Sequence, residues 1–310
     1  MTAEKKLITC NDPKGLQATN LFQGVYNKAG FNDTRAQRLN ENRGSKFTDG
    51  LMKLVTECSS EDKFIDQVVK SNYTYPNEFH RKSEKLQIET LAGELKDFGI
   101  DPIPALEHLN KIGIQSILPS GCHLEDGNYA ILSPFGRQKL VSGYDNPFDP
   151  DLYCKTLLKL FDIVSRKRNF YNWREGQIDA DHLRQLGETI EAYKKIVAIQ
   201  GKSDIWIISA QLGFFHKGES VNRARELFLS NEFGLDSVSG ISIDIVHPEH
   251  RVRNEELDSD LPGDEFSSSA DGVFSEAPFL FFGHGRLGFG TSDVSFPVRY
   301  FGSASFFLPQ

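Results

Sequence analysis

The chain has few cysteines, and none of them is spaced as a pair. Its 310 residues include four, Cys10, Cys58, Cys122 and Cys154, with no C-x-x-C pair and no short repeat of metal ligands. Such spacing is typical of free, mostly buried thiols in a reducing compartment. The sequence therefore argues against a disulfide-stapled secreted domain and predicts a cytoplasmic protein.

Long hydrophobic runs are also missing. Apolar runs such as Ala277–Phe282 are far shorter than the roughly 20 residues that cross a bilayer. The N-terminal residues include Lys5 and Lys6 but no apolar stretch of the roughly 7–15 residues that a signal peptide needs. We therefore expect a soluble chain with no export signal and no membrane partner.

Positive charge is in deficit. The 35 lysines and arginines are outnumbered by 43 aspartates and glutamates, which gives a formal net charge of −8. This balance disfavours broad electrostatic attachment to nucleic acid, which needs a local excess of cations. Residues 166–174 nevertheless interleave cations with aromatics, as single-strand-binding surfaces do. The alternative is that they end a helix and anchor the following loop in the core.

Signatures of common enzyme classes are also missing. Neither G-x-S-x-G nor H-E-x-x-H occurs, and the sequence predicts no dinucleotide-binding turn. No nucleophile, base and orienting group can be assembled from local motifs. The sequence therefore does not decide whether the protein is an enzyme. It requires no cofactor, although a divalent metal is compatible with its histidines and carboxylates.

What is present is a chain long enough to bury a sizeable core. Its 39% apolar and 25% charged residues are ordinary for a globular protein. The pattern predicts an α+β fold in two regions, a mainly helical layer over 1–113 and an α/β region with a mixed sheet over 114–310. In the first region the spacing of apolar residues predicts helices over Phe47–Cys58, Leu86–Phe98 and Ile103–Ile112.

The second region is predicted to combine strands and helices. The expected strands are Ile114–Leu118, His123–Leu132, Asp204–Ala210 and Gly240–Val246. The expected helices are Leu152–Val164, Ala180–Val197 and one that begins near Ser220. Ser133–Pro150 is expected to be a loop. Strand, helix and strand in succession would form a parallel crossover. The aromatic-rich runs Pro278–Phe282, Arg286–Phe289, Val294–Tyr300 and Ser303–Leu308 predict antiparallel strands at one edge of the sheet.

An anion site is predicted at the start of the helix near Ser220. Helix N-termini offer free N–H groups and a positive dipole end, and the residues expected to hold the anion are His216, Lys217, Ser220 and Arg223. Glu219 stands where a P-loop requires lysine, and its carboxylate would repel phosphates, which excludes a nucleotide triphosphatase. The alternative is that Ser220 only caps the helix and the basic residues are solvated.

His247 and His250 are candidates for catalysis, and with Asp264 they are candidate metal ligands. They follow the expected strand Gly240–Val246, at the end where open α/β sheets bind ligands. Imidazole and carboxylate groups suit a divalent metal. The spacing of the two histidines is not by itself a ligand signature, and the acidic residues near Asp264 could form a solvated loop.

His284 is a third candidate for catalysis. It lies between Gly283 and Gly285, which allow a tight turn or the close approach of a ligand to the backbone. The alternative is a polar residue at the tip of a turn.

Two hypotheses for function follow. The first is an intracellular binding or assembly protein without its own catalytic centre, whose ligand is a partner protein or a phosphorylated molecule. The second is a hydrolase or transferase acting on a phosphorylated substrate at the predicted anion site, with His247 or His250 as acid–base or metal ligand. Nucleic acid is a further ligand class, disfavoured by the net charge. Fold class does not choose between these hypotheses.

Overall fold

The computed structural model describes residues 63–112 and 117–309, together with Thr19 and Gln37. The chain has two compact units, Met1–Glu61 and Asp62–Gln310, and the helices and strands numbered here belong to the second. The predicted helix over Phe47–Cys58 and most of the predicted strand over Ile114–Leu118 lie outside the described residues. The predicted division into 1–113 and 114–310 stays a prediction.

The described residues of this unit form seven α-helices and eleven strands. The helices are α1 Glu84–Glu94, α2 Ile103–Ile112, α3 Pro134–Leu140, α4 Pro150–Ser165, α5 Gly187–Gln200, α6 Val221–Leu227 and α7 Ser237–Val246, with a short 3-10 helix at Lys96–Phe98. The strands are β1 Gly127–Leu132, β2 Phe170–Asn172, β3 Leu183–Gln185, β4 Ile205–Gln211, β5 Glu232–Gly234, β6 Asp258–Asp260, β7 Asp264–Phe266, β8 Glu276–Gly283, β9 Arg286–Asp293, β10 Phe301–Ser303 and β11 Ser305–Phe307. The α+β fold class is therefore confirmed, as are the predicted helices at α1, α2 and α4.

The strands form two sheets. The first has the order β1-β4-β11-β5 and is antiparallel throughout. The second runs β10-β6-β8-β7-β3, with β9 beside β8 and β2 beside β9. It is mixed, because β10 pairs with β6 and β2 pairs with β9 in parallel while the other pairs are antiparallel.

The core is built around β4. The predicted strand Asp204–Ala210 is confirmed, and it lies between β1 and β11 in the smaller sheet rather than the larger. All of its residues are buried, as expected for a strand whose apolar side chains alternate across both faces. The outer edge of β1 is closed by the amide of Gln87, which donates to the Asn128 carbonyl and accepts from the Ala130 N–H, both at 2.9 Å. A covered edge prevents unwanted strand pairing.

The predicted strand over Gly240–Val246 is wrong, because these residues belong to helix α7. Asp236 caps the helix, and its carboxylate accepts a hydrogen bond of 2.7 Å from the Ser239 N–H. Every residue of α7 is buried. A helix covered on all sides needs no separate polar face, and here Ile241, Ile243 and Ile245 alternate with Ser242 and Asp244, which is the period of a strand. The predicted parallel crossover is therefore also wrong.

Three other predictions need correction. The predicted loop Ser133–Pro150 contains α3, whose cap Ser133 accepts from the N–H groups of Phe135 and Gly136. The helix expected from Ala180 begins only at Gly187, because Leu183–Gln185 pairs with β7 instead. Val294–Tyr300 forms turns rather than a strand. The remaining C-terminal strands divide between the two sheets, since β10 joins the second and β11 the first.

Within the described part of the chain, no helix is long and apolar enough to cross a membrane. Two of the four cysteines are described, and both are free thiols: Cys154 is buried and Cys122 is half-buried. Cys10 and Cys58 lie outside the described residues.

Candidate functional site

His216, the first residue of the predicted anion site, is held between two carboxylates. Its Nδ1 lies 2.9 Å from Glu219 and its Nε2 lies 2.9 Å from Glu232. Burial by itself lowers the pKa of His216, but the hydrogen bonds to the two carboxylates and their negative charges outweigh burial and raise the pKa to about 9. The imidazolium is therefore already neutralised by protein side chains.

Ser220 caps α6, as one of the two readings of the sequence predicts. Its hydroxyl accepts from the Arg223 N–H at 3.0 Å and donates to the Gln67 side chain at 2.7 Å. The N–H of Asn222, in the first turn, donates to the Val294 carbonyl. Two of the donors that this helix N-terminus could offer to an anion, the N–H groups of Asn222 and Arg223, therefore have protein acceptors.

The remaining cations of the predicted anion site also have protein partners. Lys217 Nζ donates to the Tyr73 carbonyl at 3.2 Å and lies 3.8 Å from the centre of the Phe214 ring. Arg223 pairs with Glu226 at 2.9 Å. The anion site at His216, Lys217, Ser220 and Arg223 stays a prediction, and an anion there would have to displace these contacts.

His247 and His250 lie together in the core. Both are fully buried at the C-terminal end of α7, and both rings contact Phe79 edge-on. Burial lowers the pKa of His247, and burial with the nearby Arg251 charge lowers that of His250 to about 4. Both rings are therefore neutral at neutral pH. Their positions give them the surroundings of core histidines.

Asp264, the third predicted metal ligand, lies at the opposite end of α7. Its carboxylate accepts from the Tyr153 hydroxyl at 2.6 Å and from the Ser237 N–H at 2.8 Å, at the first residue of the helix. Ten helical residues span about 15 Å. The fold thus separates Asp264 from the two histidines, and the described residues hold no group of three or more metal-ligating side chains.

His284 is the exposed tip of the β8–β9 hairpin. Its φ of 53° is left-handed, which fits a turn residue. The letters from Gly283 to Gly288 match G-x-G-x-x-G, but the dinucleotide motif needs a strand followed by a helix, and here two antiparallel strands flank the turn. A catalytic role for His284 stays a prediction.

An unexpected feature is the outer face of this hairpin and of β2 beside it. Leu287 and Phe289 of β9 are fully buried, so the alternating residues Gly288 and Gly290 lie on the opposite side of the sheet. The strand register places Phe281 beside Gly288 and Phe279 beside Gly290. We call the surface formed by Tyr171, Trp173, Phe279, Phe281 and Arg286 the aromatic face.

The two phenylalanines lie flat across the glycines of the neighbouring strand. A Cβ added to Gly288 would collide with the Phe281 ring, and one added to Gly290 would meet the end of the Phe279 ring. The glycines are therefore required for space. The two rings, whose centres are 5.3 Å apart, form a floor supported by backbone.

Beside this floor, Tyr171 of β2 and Trp173, in the turn that follows β2, present two exposed aromatic rings. Tyr171 pairs in register with Gly288, and the N–H of Trp173 donates to the Phe289 carbonyl at 2.9 Å. Tyr171 and Trp173 are 38% and 51% exposed, with ring centres 4.9 Å apart in an edge-on arrangement. These two rings are therefore exposed to solvent beside a hairpin whose other side, with Leu287 and Phe289, is packed in the core.

Arg286 completes the aromatic face with a cation. Its guanidinium carbon lies 4.3 Å from the centre of the Tyr171 ring and 6.0 Å from that of Trp173. Within the described part of the chain no carboxylate pairs with Arg286. A guanidinium that stacks on aromatic rings has its plane fixed by the stacking, and its charge remains available to an incoming group.

The face contains an open groove of about 360 Å³, lined by Trp173, Arg174, Phe279, Phe281, Gly290 and Thr291. The Arg174 guanidinium pairs with Glu276 at 2.7 Å, and the Thr291 hydroxyl donates to the same carboxylate. These charges cancel, so the groove is apolar with a neutral polar rim.

The cations of residues 166–174 divide between structure and surface. Lys167 pairs with Glu94, and Arg168 donates to the backbone carbonyls of Pro248 and Arg251. Arg166, which caps the end of α4, is exposed, and no carboxylate among the described residues pairs with it. Residues 166–174 therefore fit both interpretations in part, because Lys167 and Arg168 bond to other parts of the protein while Arg166, Tyr171 and Trp173 are exposed.

Comparison with protein-family models, curated proteins and solved structures finds no match to this chain.

Proposed function

We propose that the chain is an intracellular binding or assembly protein and that its ligand binds to the aromatic face. The observation that carries the proposal is the exposure of Tyr171 and Trp173 beside an open groove. Exposed apolar patches next to grooves mark binding sites in soluble proteins. Tyrosine, tryptophan and arginine are also the residues that contribute most to binding free energy.

The construction of the face also supports binding. Phe279 and Phe281 are fixed on the glycine backbone and Arg286 is fixed on the Tyr171 ring. A ligand therefore meets groups that are already ordered, so little side-chain entropy is lost on binding.

The alternative, a hydrolase or transferase acting on a phosphorylated substrate, has less support. Its predicted anion donors bond to protein acceptors, and its candidate histidines His247 and His250 are buried in an aromatic cluster.

The proposal can be tested with the two tryptophans of the chain. Trp173 is exposed and Trp206 is fully buried, so quenching of fluorescence by acrylamide reports mainly on Trp173. A panel of single-stranded oligonucleotides, oligosaccharides, proline-rich peptides and concentrated protein itself should contain a ligand that protects Trp173 saturably. A Trp173→Phe variant identifies the Trp173 signal, and absence of protection by every member of the panel would refute the proposed function.

A further inference from the structure

We infer that Asp258 and Asp260 form a pH-sensitive switch beside the floor of the aromatic face. While both carboxyls are protonated, Phe279 and Phe281 stay packed, and when the carboxyls ionise, water enters and the two rings loosen. This inference rests on the proposed function, because it concerns the regulation of the same surface. Its basis is the position of two buried carboxyls among aromatic rings.

Both carboxyls lie on the side of the second sheet that carries the aromatic face. Asp258 and Asp260 are two residues apart on β6, so their side chains share one side of the strand. Asp260 pairs in register with Phe279 of β8, and Asp258 pairs in register with Phe301 of β10. Residues in register on neighbouring strands share a side of the sheet, so the two phenylalanines flank the two carboxyls.

The rings of these phenylalanines cover the carboxyls. Strands β10 and β8 lie on either side of β6, so their backbones are about 9.6 Å apart. The centres of the Phe301 and Phe279 rings are only 4.8 Å apart, so the two rings meet over β6. Asp258 and Asp260 are 7% and 6% exposed. Ring packing therefore separates both carboxyls from solvent.

The buried carboxyls have few hydrogen-bond donors. Asp258 accepts one hydrogen bond, of 3.0 Å from the Phe282 N–H, and within the described part of the chain no group donates to the Asp260 carboxyl. An ionised carboxylate out of water needs several donors or a cation. Burial therefore favours the neutral acid, and it raises the pKa of Asp258 to about 8 and that of Asp260 to about 7.

Nearby charges do not compensate for this burial. The charged groups that act on the pair are Arg225, Arg251 and Glu256, together with the repulsion between the two carboxyls themselves. Arg225 of α6 donates to two backbone carbonyls just beyond β6, and Arg251 pairs with Asp244 of α7. Among the residues that the structure describes, no cation pairs with either carboxyl. An ionised pair must therefore draw in water, which requires the covering rings to move.

Movement of these rings reaches the groove of the aromatic face. Phe279 rests on Gly290, and its ring centre lies 5.3 Å from that of Phe281. Both phenylalanines line the groove together with Trp173. A displaced Phe279 ring therefore changes the surroundings of Trp173. A ligand should meet an ordered floor below about pH 7 and a loosened floor above about pH 8.

The test follows acrylamide quenching of Trp173 fluorescence in the full chain, without ligand, from about pH 6 to about pH 9. The ionised fraction of a carboxyl with a pKa of about 7 rises about tenfold over this range. The quenching constant should therefore rise, with a midpoint between about pH 7 and pH 8. Asp258→Asn and Asp260→Asn keep the side-chain shape but cannot ionise. Each variant should reduce the rise, and the double variant should abolish it.

A matched control separates these two carboxyls from others. Asp162→Asn removes an exposed carboxyl from α4 and should leave the rise unchanged. Burial also raises the pKa of Asp126 and of Asp264. A rise that persists in the folded double variant would assign the change to such other groups and overturn the switch.

An NMR titration of assigned carboxyl carbons in the natural protein keeps the inference testable if the variants do not fold. Asp258 and Asp260 should titrate together with the change in Trp173 quenching. Midpoints near the ordinary value of about 4 would overturn the switch. Raised midpoints without any change at Trp173 would overturn it as well.

The outcomes also separate this inference from the proposed function. The quenching titration contains no ligand, so a flat profile refutes the switch and leaves the binding face standing. A rise that the double variant abolishes supports the switch. If no member of the ligand panel then protects Trp173 at pH 6, the proposed function fails while the conformational change stands.

Discussion

Replacing His216 with glutamine should change how the stability of the protein depends on pH. The natural imidazolium is buried between Glu219 and Glu232, with both ring nitrogens 2.9 Å from a carboxylate oxygen. Glutamine fills a similar volume and can still hydrogen-bond, but it cannot carry a proton charge. The variant therefore isolates the protonation of this one residue.

The magnitude follows from the pKa of His216. The difference between about 9 in the folded protein and the ordinary 6.5 corresponds to about 3 kcal/mol of stability. The folded state holds the proton more tightly, so this stabilisation is fully present below pH 6.5 and is lost as the pH rises through 9. The free-energy difference between natural and variant protein should thus shrink by about 3 kcal/mol between pH 6 and pH 10.

Urea unfolding at several pH values provides the assay. Burial also raises the pKa of Asp258 to about 8 and that of Asp260 to about 7, so both carboxyls make stability fall as the pH rises toward those values. These groups are present in both proteins and cancel in the difference. A difference that stays constant from pH 6 to pH 10 would refute the assigned charge state, as would an imidazole NMR titration of His216 near 6.5.

Three further predictions concern packing, acid sensitivity and thiol reactivity. Gly288→Ala should destabilise the protein by about 1–3 kcal/mol in thermal unfolding, because the new methyl group collides with the Phe281 ring. Gly187→Ala, which has open space around the added Cβ, should not destabilise it. Equal melting temperatures of the two variants would contradict the packing of Phe281 on Gly288. Burial lowers the pKa of His250 to about 4, so the stability of the protein should fall as the pH drops from 6.5 toward 4. His250→Phe should reduce this loss of stability. Parallel plots of stability against pH for the natural protein and the variant would contradict the prediction. Burial raises the pKa of Cys122 to about 12, so thiol reagents at pH 8 should label it slowly until the protein is denatured, and mass spectrometry showing rapid labelling would contradict this.

The sequence predicts elements well where one face is buried and the other is not. The helices at Glu84–Glu94 and Ile103–Ile112 have exposed positions that preserve a helical period. The failure at Ser237–Val246 has a different cause, since this helix is buried on every side and its serines and Asp244 alternate with apolar residues, which is the period of a strand. The local signal that remains is Asp236, which caps the helix three residues before Ser239.

The candidate site shows a related limit. The mixture of cations and aromatics in residues 166–174 is visible in the sequence, but which of them are exposed depends on distant partners. Lys167 is paired with Glu94 and Arg168 is turned toward Pro248, contacts that no local pattern indicates. The position of Arg286 over the Tyr171 ring depends on the parallel pairing of β2 with β9.

One part of the aromatic face does have a sequence signal. In a hairpin, residues 279 and 281 lie opposite 290 and 288, so the pattern F-x-F followed by G-x-G places each ring on a glycine. Rings that lie flat on backbone leave the sheet thin at that point. Gly288, which pairs with Tyr171, has no side chain to cover that ring, so on β9 the Tyr171 ring is contacted by Arg286 and stays partly exposed. Larger residues at 288 and 290 would both lift the phenylalanine rings and fill the groove, so the glycines that support the floor also keep the binding surface open.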